Sequence, residues 1–337
     1  MKRVAVVGTG VAGAYLLNRL PAGVDAEAFE AKTQKNWYTV CAWGTSEPFI
    51  SDLVKQAGFN FQDYVLHRGK NMRVELGDEE INIHLKGLVT YDKHRLTEDM
   101  LKGKKVHWGS QIKEANGSFS GFDTVVDATG LHRALLPKVK EDMLIPSLEY
   151  QVKSKELPYD DFVIRPYPGL TGYWWWFPLG DGVGHVGAGD LKGRYRYELD
   201  EFVKKYHCEV IRKIGRPVRV TPPEFMEPFS DGKVVGVGES IGTVYPMLGE
   251  GIIPSMQCAN LFVDHLDDME GYRKAVLEHY AIYSKVYKFV KAKVEDRFSL
   301  ARMLPTLLSV FLYMRGNTRR YGLETRMSDF YKIVTRM

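Results

Sequence analysis

The period of apolar and polar positions changes several times along the 337-residue chain, and each change predicts an element. Val4-Ala5-Val6-Val7 is a continuous apolar run, the mark of a strand buried on both faces of a parallel sheet. Glycines follow at once, then a helical pattern from Ala14 to Leu20 that Pro21 ends. Residues 26–30 read as a second strand, and the stretch from there to about Leu85 reads as loop-rich. Residues 86–130 predict a short strand, a helix over 93–102, further strands, and an apolar run over 123–128 stopping at Gly130. Over 160–190 aromatic and small residues alternate, the period-2 pattern of antiparallel sheet. A strand over 233–238 leads through a glycine-rich loop to a helix from about Glu250 to His265, and everything beyond Glu270 has helical character.

Strands of nucleotide-binding character thus recur at the start, near 130 and near 238, with another kind of sheet between them. The expected fold is α/β (α+β overall). A Rossmann-type domain would be built from the discontinuous segments 1–50, 85–150 and 231–266. An inserted antiparallel-sheet substrate domain would take 51–84 and 151–230, and 267–337 would be a helical C-terminal region.

Composition narrows the class. With 45% hydrophobic and 26% charged residues the chain is ordinary globular material, neither disordered nor disulfide-built. Its three cysteines, Cys41, Cys208 and Cys258, form no CxxC pair, and its nine histidines show no ligand spacing, so no metal is expected. No apolar stretch reaches the ~20 residues of a membrane span. The expected location is cytoplasmic. The charge is unevenly spread: 270–337 holds 14 Lys+Arg against 6 Asp+Glu, which leaves an acidic body. A basic C-terminal quarter suits an anionic contact, although a solvated helical face explains it equally well. Nucleic acid is not the expected partner, because no stacking or zinc motif accompanies the charge.

The turn after the first strand reads Gly8-Thr9-Gly10-Val11-Ala12-Gly13. Gly8 would make the tight turn, Gly10 would admit a pyrophosphate to the backbone, and Gly13 would let helix and strand pack closely. The free N–H groups of the helix N-terminus favour the anion. The second strand ends in Glu30, 22 residues after Gly8, where a carboxylate accepts hydrogen bonds from ribose hydroxyls and repels a 2′-phosphate. Ala31 and Lys32 continue that rim. Two later segments favour FAD as the dinucleotide: Ala128-Thr129-Gly130 at one strand end, and Gly238-Glu239 at another, leading through Pro246 to Gly249-Glu250-Gly251-Ile252.

In these motifs, with Tyr173-Trp174-Trp175-Trp176-Phe177-Pro178 and Cys41 added, the chain resembles the geranylgeranyl reductase family of FAD-dependent oxidoreductases. That family shares the fold of para-hydroxybenzoate hydroxylase. The motifs span residues 8–252 in order. Glu239 stands where the family has Asp, and Leu170 where it has a proline before the aromatic string. The chain is short for the family, and no motif covers its last 70 or so residues. The resemblance implies FAD held by the segments above and by Arg95. It implies an isoprenoid or prenyl-lipid substrate whose C=C bonds are reduced by hydride from the flavin. It places Cys41 beside the flavin ring, where Cys41, a tyrosine such as Tyr173, or water would supply the proton. The electron donor stays open among NAD(P)H, ferredoxin and a deazaflavin.

Tyr173, Trp175 and Phe177 fall on one face of a strand, and Trp174 and Trp176 on the other. On residue pattern alone ordinary core packing is the simpler reading. The resemblance makes the first face, with Trp43, a substrate wall. A prenyl substrate would come from a membrane, so the apolar run 304–314, flanked by Arg302, Arg315, Arg319 and Arg320, is expected to give peripheral contact with anionic lipid. The plainer alternative is a helix packed on the body.

Three rival functions stand beside the reductase. A flavin monooxygenase has the same fold. A non-catalytic FAD-binding protein would use the same fingerprint. Gly238-Glu239-Ser240-Ile241-Gly242 also matches the GxSxG elbow of hydrolases, with Asp264, His265 and His279 as partners, but Gly242 and Pro246 interrupt the helix that should follow the serine.

Overall fold

The structure, a computed structural model, describes residues 1–39, 41–115 and 117–336; the final residue of the C-terminal region, Met337, lies outside them. A six-stranded sheet runs in the order Ser230–Asp231, Val234–Gly236, Thr124–Asp127, Lys2–Val7, Val24–Glu30, Val106–Trp108. Every neighbouring pair is parallel except the first. Its centre is wholly apolar and sealed: Val4, Ala5, Val6, Val125 and Val126 expose nothing. This is why those strands read as unbroken hydrophobic runs. The helix Val11–Arg19 packs beside the helices Lys93–Leu101 and Ile252–Asp264 over this sheet.

A seven-stranded sheet follows the order Glu209–Gly215, Ser147–Lys153, Val183–Asp190, Gly172–Gly180, Phe162–Pro166, Asn71–Leu76, Glu79–His84. All its pairs are antiparallel except Phe162–Pro166 with Asn71–Leu76. The helix Tyr195–Lys205 lies against Ser147–Lys153 and Val183–Asp190. A three-stranded sheet of Gly44–Ser46, Leu88–Tyr91 and Val65–Arg68 adjoins the Gly172–Gly180 strand.

The loop-rich reading of 31–85 is corrected here. That stretch holds the helix Glu47–Gln56 and four strands, Gly44–Ser46, Val65–Arg68, Asn71–Leu76 and Glu79–His84. The last two form a hairpin turning on Gly77-Asp78, with Gly77 at φ 66°. They alternate correctly, Met72 and Val74 inward, Ile81 and Ile83 inward. The strands offer three and two apolar residues amid charges, too short a pattern to stand out.

Five helices complete the chain: Met269–His279, Ala281–Val294, Leu300–Gly316, Thr318–Tyr321 and Met327–Arg336. No helix among the described residues is long and apolar enough to cross a membrane. Leu300–Gly316 contains the predicted apolar run and turns Leu307, Val310, Phe311 and Met314 inward.

Candidate functional site

The carboxyl ends of the parallel strands converge on the glycine turn, the place where open α/β sheets bind ligands. Gly8, at φ 98°, is required by its neighbours: a Cβ there would stand 2.5 Å from the Ala128 carbonyl oxygen. A Cβ on Gly13 would collide with the Gly8 carbonyl, and one on Gly238 would come 2.8 Å from Ala12 Cβ. These three glycines bring segments 8–13, 128–130 and 238–239 together. Gly10 differs, since a side chain there would meet no protein atom. The protein's own packing does not ask for glycine at position 10. The open space beside it is the kind of cradle a phosphate would need.

Glu30 is fixed at the rim. Thr9 donates to its Oε2 from both the backbone N (3.1 Å) and Oγ1 (2.8 Å), and the Lys32 backbone N donates to its Oε1 at 2.9 Å. Asp127 is fully buried and accepts from Thr129 N, Thr129 Oγ1 and Leu135 N, which sets the strand end before Gly130. Glu239 lies 2.9 Å from the Arg216 guanidinium and accepts from the Arg219 backbone N. Arg219, itself buried, donates to the carbonyls of Gly130, Leu131 and Glu239 and pairs with Asp142. Arg95 is exposed and stacks over the Tyr64 ring, 5.0 Å from its centroid.

The turn into the helix Ile252–Asp264 has an internal anchor. Glu250 accepts from the Ile253 backbone N at 3.0 Å through Oε1, and its Oε2 pairs with the buried Arg320 guanidinium. Gly249 sits at φ 62°, and Gly251 immediately precedes the helix.

Opposite this turn stands the aromatic strand. Tyr173, Trp175 and Phe177 are partly exposed, while Trp174 and Trp176 are sealed. The Tyr173 hydroxyl donates to the Leu248 carbonyl at 2.5 Å, which ties the wall to the 245–252 loop. Burial pushes the Tyr173 phenol up from its ordinary value, and a nearby Cys41 adds to the effect. Cys41 and Trp43 both hold positive φ, 136° and 62°, which non-glycine residues rarely adopt. The side chain of Lys93 reaches the Cys41 sulfur at 3.1 Å. Such strained loop residues concentrate at working sites. The loop meets the wall where Trp43 packs on His185, centroids 4.9 Å apart, and where Phe177 fills the space a Gly44 side chain would need.

Sheet register adds polar groups that spacing alone does not reveal. Trp175 pairs with Gly187, and Gly187 with Glu149, so the three share one row and one face. The indole of Trp175 lies where a Gly187 side chain would be. His185 is on the next row of the same face, its Nδ1 2.9 Å from Glu149 Oε1 but not aligned for a hydrogen bond. Both carboxyl oxygens of Glu149, both ring nitrogens of His185, and the indole nitrogens of Trp43 and Trp175 are buried without hydrogen-bond partners among the described residues. Buried polar atoms are normally paired, so such a cluster needs a reason.

The structure therefore gathers the expected residues into a crevice (Gly8, Gly10, Val11, Ala12, Gly13, Glu30, Ala128, Thr129, Gly130, Gly238, Glu239) and a facing wall with its loops (Cys41, Trp43, Tyr173, Trp175, Phe177, Gly249, Glu250, Gly251, Ile252). It adds Lys93, Glu149, His185, Arg216, Arg219 and Arg320. The hydrolase elbow is ruled out by geometry. Ser240 is fully buried, and its hydroxyl donates to the Asp127 carbonyl at 2.7 Å.

No protein-family model matches the chain. An uncharacterized protein of Methanocaldococcus jannaschii is 25% identical over 243 residues, which is 60% of this chain and 65% of that relative, so the match spans less than two thirds of the relative's length. A geranylgeranyl bacteriochlorophyll reductase-like protein of Thermoplasma acidophilum superposes with a TM-score of 0.65 at 16% identity, covering 94% of this chain and 98% of that one. A flavin-dependent halogenase of Brevundimonas sp. BAL3 gives 0.68 at 11% identity, covering 100% and 89%. A probable FAD-dependent monooxygenase of Pseudomonas aeruginosa gives 0.61 at 15% identity, covering 90% and 99%. The chain has the fold that these three proteins share.

Proposed function

We propose that the chain is an FAD-dependent oxidoreductase that reduces carbon–carbon double bonds of a prenyl-type chain. The residues fit the cofactor. Gly10 leaves a side-chain-free space at a helix N-terminus, Glu30 is held at the rim by Thr9, and Gly8, Gly13 and Gly238 close the strands behind them. Bound there, FAD supplies hydride chemistry, and the protein supplies orientation and exclusion of water.

The substrate reading rests chiefly on one observation: the two faces of the Gly172–Gly180 strand are unequal. The Trp174 and Trp176 face is closed, while the Tyr173, Trp175 and Phe177 face stays partly open beside Cys41. A broad aromatic surface binds an apolar chain through area alone, at ~25 cal/mol per Å². Cys41, held by its strained turn and by Lys93, is the proposed proton-handling group, with the Tyr173 phenol next to it.

A second reading is oxygen insertion into a polar aromatic substrate. The Glu149, His185, Trp43 and Trp175 atoms that lack aligned hydrogen bonds favour it, because a purely hydrocarbon substrate leaves them unsatisfied.

One experiment separates the readings. The purified protein, loaded with FAD and reduced by dithionite without air, is incubated with prenyl lipids and the products are weighed by mass spectrometry. Mass gains in steps of two hydrogens support the reductase. A hydroxylated product that forms only in air overturns it. Gly10→Val should abolish flavin retention, and Glu30→Ala should weaken it. A fully yellow Gly10→Val protein would refute the crevice assignment.

A further inference from the structure

The helix Leu300–Gly316 breaks the usual rule for a surface helix. Such a helix buries one apolar stripe and turns charged or polar residues to water. Here the buried stripe is present in Leu307, Val310, Phe311 and Met314. The outward side is apolar too. Leu300, Leu304, Leu308 and Leu312 are 38%, 59%, 47% and 56% exposed, and Ala301 and Pro305 stand exposed beside them. These leucines recur every fourth residue, so they form one slowly turning ridge. Isolated exposed leucines need no explanation, but a continuous ridge marks a contact surface.

The charges say what covers it. Leu300–Gly316 carries no Asp or Glu. Its two ionic residues are Arg302 and Arg315, near the two ends, both exposed. Neither has an ion-pair partner among the described residues, whereas Arg297, Arg319, Arg326 and Arg336 around them do. An apolar ridge bracketed by arginines free of ion pairs, Arg315 leaning over the Phe311 ring, matches the boundary of an anionic bilayer. Leucines enter the acyl edge and the guanidiniums meet lipid phosphates. A second copy of this chain is a poor occupant. A two-fold contact along the ridge would bring arginine against arginine with no acid on either helix.

We infer that Leu300–Gly316 is a docking helix for an anionic membrane surface, lying flat in the interface and not crossing it. The inference stands whichever reaction the site performs. The helix also continues through Asn317 into Thr318–Tyr321, where Arg320 holds Glu250, so the docked element is joined to the loop at the site's edge.

The test is co-sedimentation of the full chain with phosphatidylcholine vesicles, with and without phosphatidylglycerol. The expected result is binding that depends on phosphatidylglycerol and weakens as salt rises. Leu304→Ser with Leu308→Ser should lower the partition roughly tenfold, since two exposed leucines carry much of the ridge. Arg302→Gln with Arg315→Gln should remove roughly an order of magnitude of the preference for anionic vesicles. Because the altered residues are exposed, both variants should keep the wild-type melting temperature. Three results would overturn the inference: wild-type protein left in the supernatant with both vesicles, undiminished binding by the leucine variant, or a dimer by light scattering that the leucine variant turns to monomer.

Discussion

The seven-stranded sheet has two faces of opposite character, made by the same strands from alternate residues. On one face Trp174, Trp176, Val186, Ala188, Tyr150 and Val152 form a closed apolar cluster with Leu199 and Phe202 of the helix beneath. On the other, Tyr173, Trp175 and Phe177 share the surface with Gly187, His185 and Glu149. The contrast is clearest in two carboxyl groups. Asp190, at the rim of the closed face, is fully buried and takes hydrogen bonds from Arg194 and Thr171. Glu149, on the other face, is almost as buried and has no aligned partner. One carboxylate is built into the fabric. The other is carried at a cost, and a cost retained in a fold points to use.

The largest expected effect is on the closed face. Trp176→Ala should remove about 3–5 kcal/mol of stability and lower the melting temperature on the order of 10 °C. Trp175→Ala should lose clearly less. Equal losses in scanning calorimetry would erase the distinction between the faces.

Next is Asp190. Burial alone would raise its carboxyl, but the bonds from Arg194 and Thr171 outweigh that and hold it at about 2, below the ordinary 3.8. Its contribution is therefore complete above pH 3.8 and fades as pH falls toward 2. Asp190→Asn should be less stable than wild type near neutrality by roughly 1–3 kcal/mol, and the gap should close in that acid window. A constant gap down to the lowest pH reached would show that the carboxylate is not the source.

Glu149→Gln should behave in the reverse way. Its stability should change by less than about 1 kcal/mol, because no aligned hydrogen bond is lost, while turnover falls at least roughly tenfold. Large destabilisation with normal turnover would make Glu149 a structural residue like Asp190.

Trp175→Phe should also be mild, within about 1.5 kcal/mol of wild-type stability because most of the apolar volume remains. The flavin content should stay at the wild-type level, and, if the proposed reductase function holds, the measured change should be in reduction rate or chain-length preference. An early-melting variant that treats every substrate normally would put the open face in the core.

Legibility followed the range of the interactions. Gly8 and Gly13 could be read because each answers a contact formed within one turn or between neighbouring strands. The inequality of Trp174 and Trp175 could be read because alternation in a strand is local. The approach of His185 to Glu149 could not. It depends on the register of strands 36 residues apart, and a one-residue slip of either strand would have turned its own group to the other face. Lys93 beside Cys41 and Arg320 beside Glu250 are likewise contacts of tertiary folding, with no motif in the sequence to announce them. The hairpin at Gly77-Asp78 had a local signal, but its four inward residues were outnumbered by charges.

The ion pair between Arg320 and Glu250 reaches beyond the site. It joins the start of one helix to a residue 70 positions later, with Arg320 almost wholly out of water. Removing either partner strands a buried charge. The C-terminal helices are thereby wired into the cooperativity of the whole molecule. Heating should give one transition with no early release of the tail, and a protease that nicks the chain between the helices Leu300–Gly316 and Thr318–Tyr321 should leave the fragments associated until the entire fold lets go.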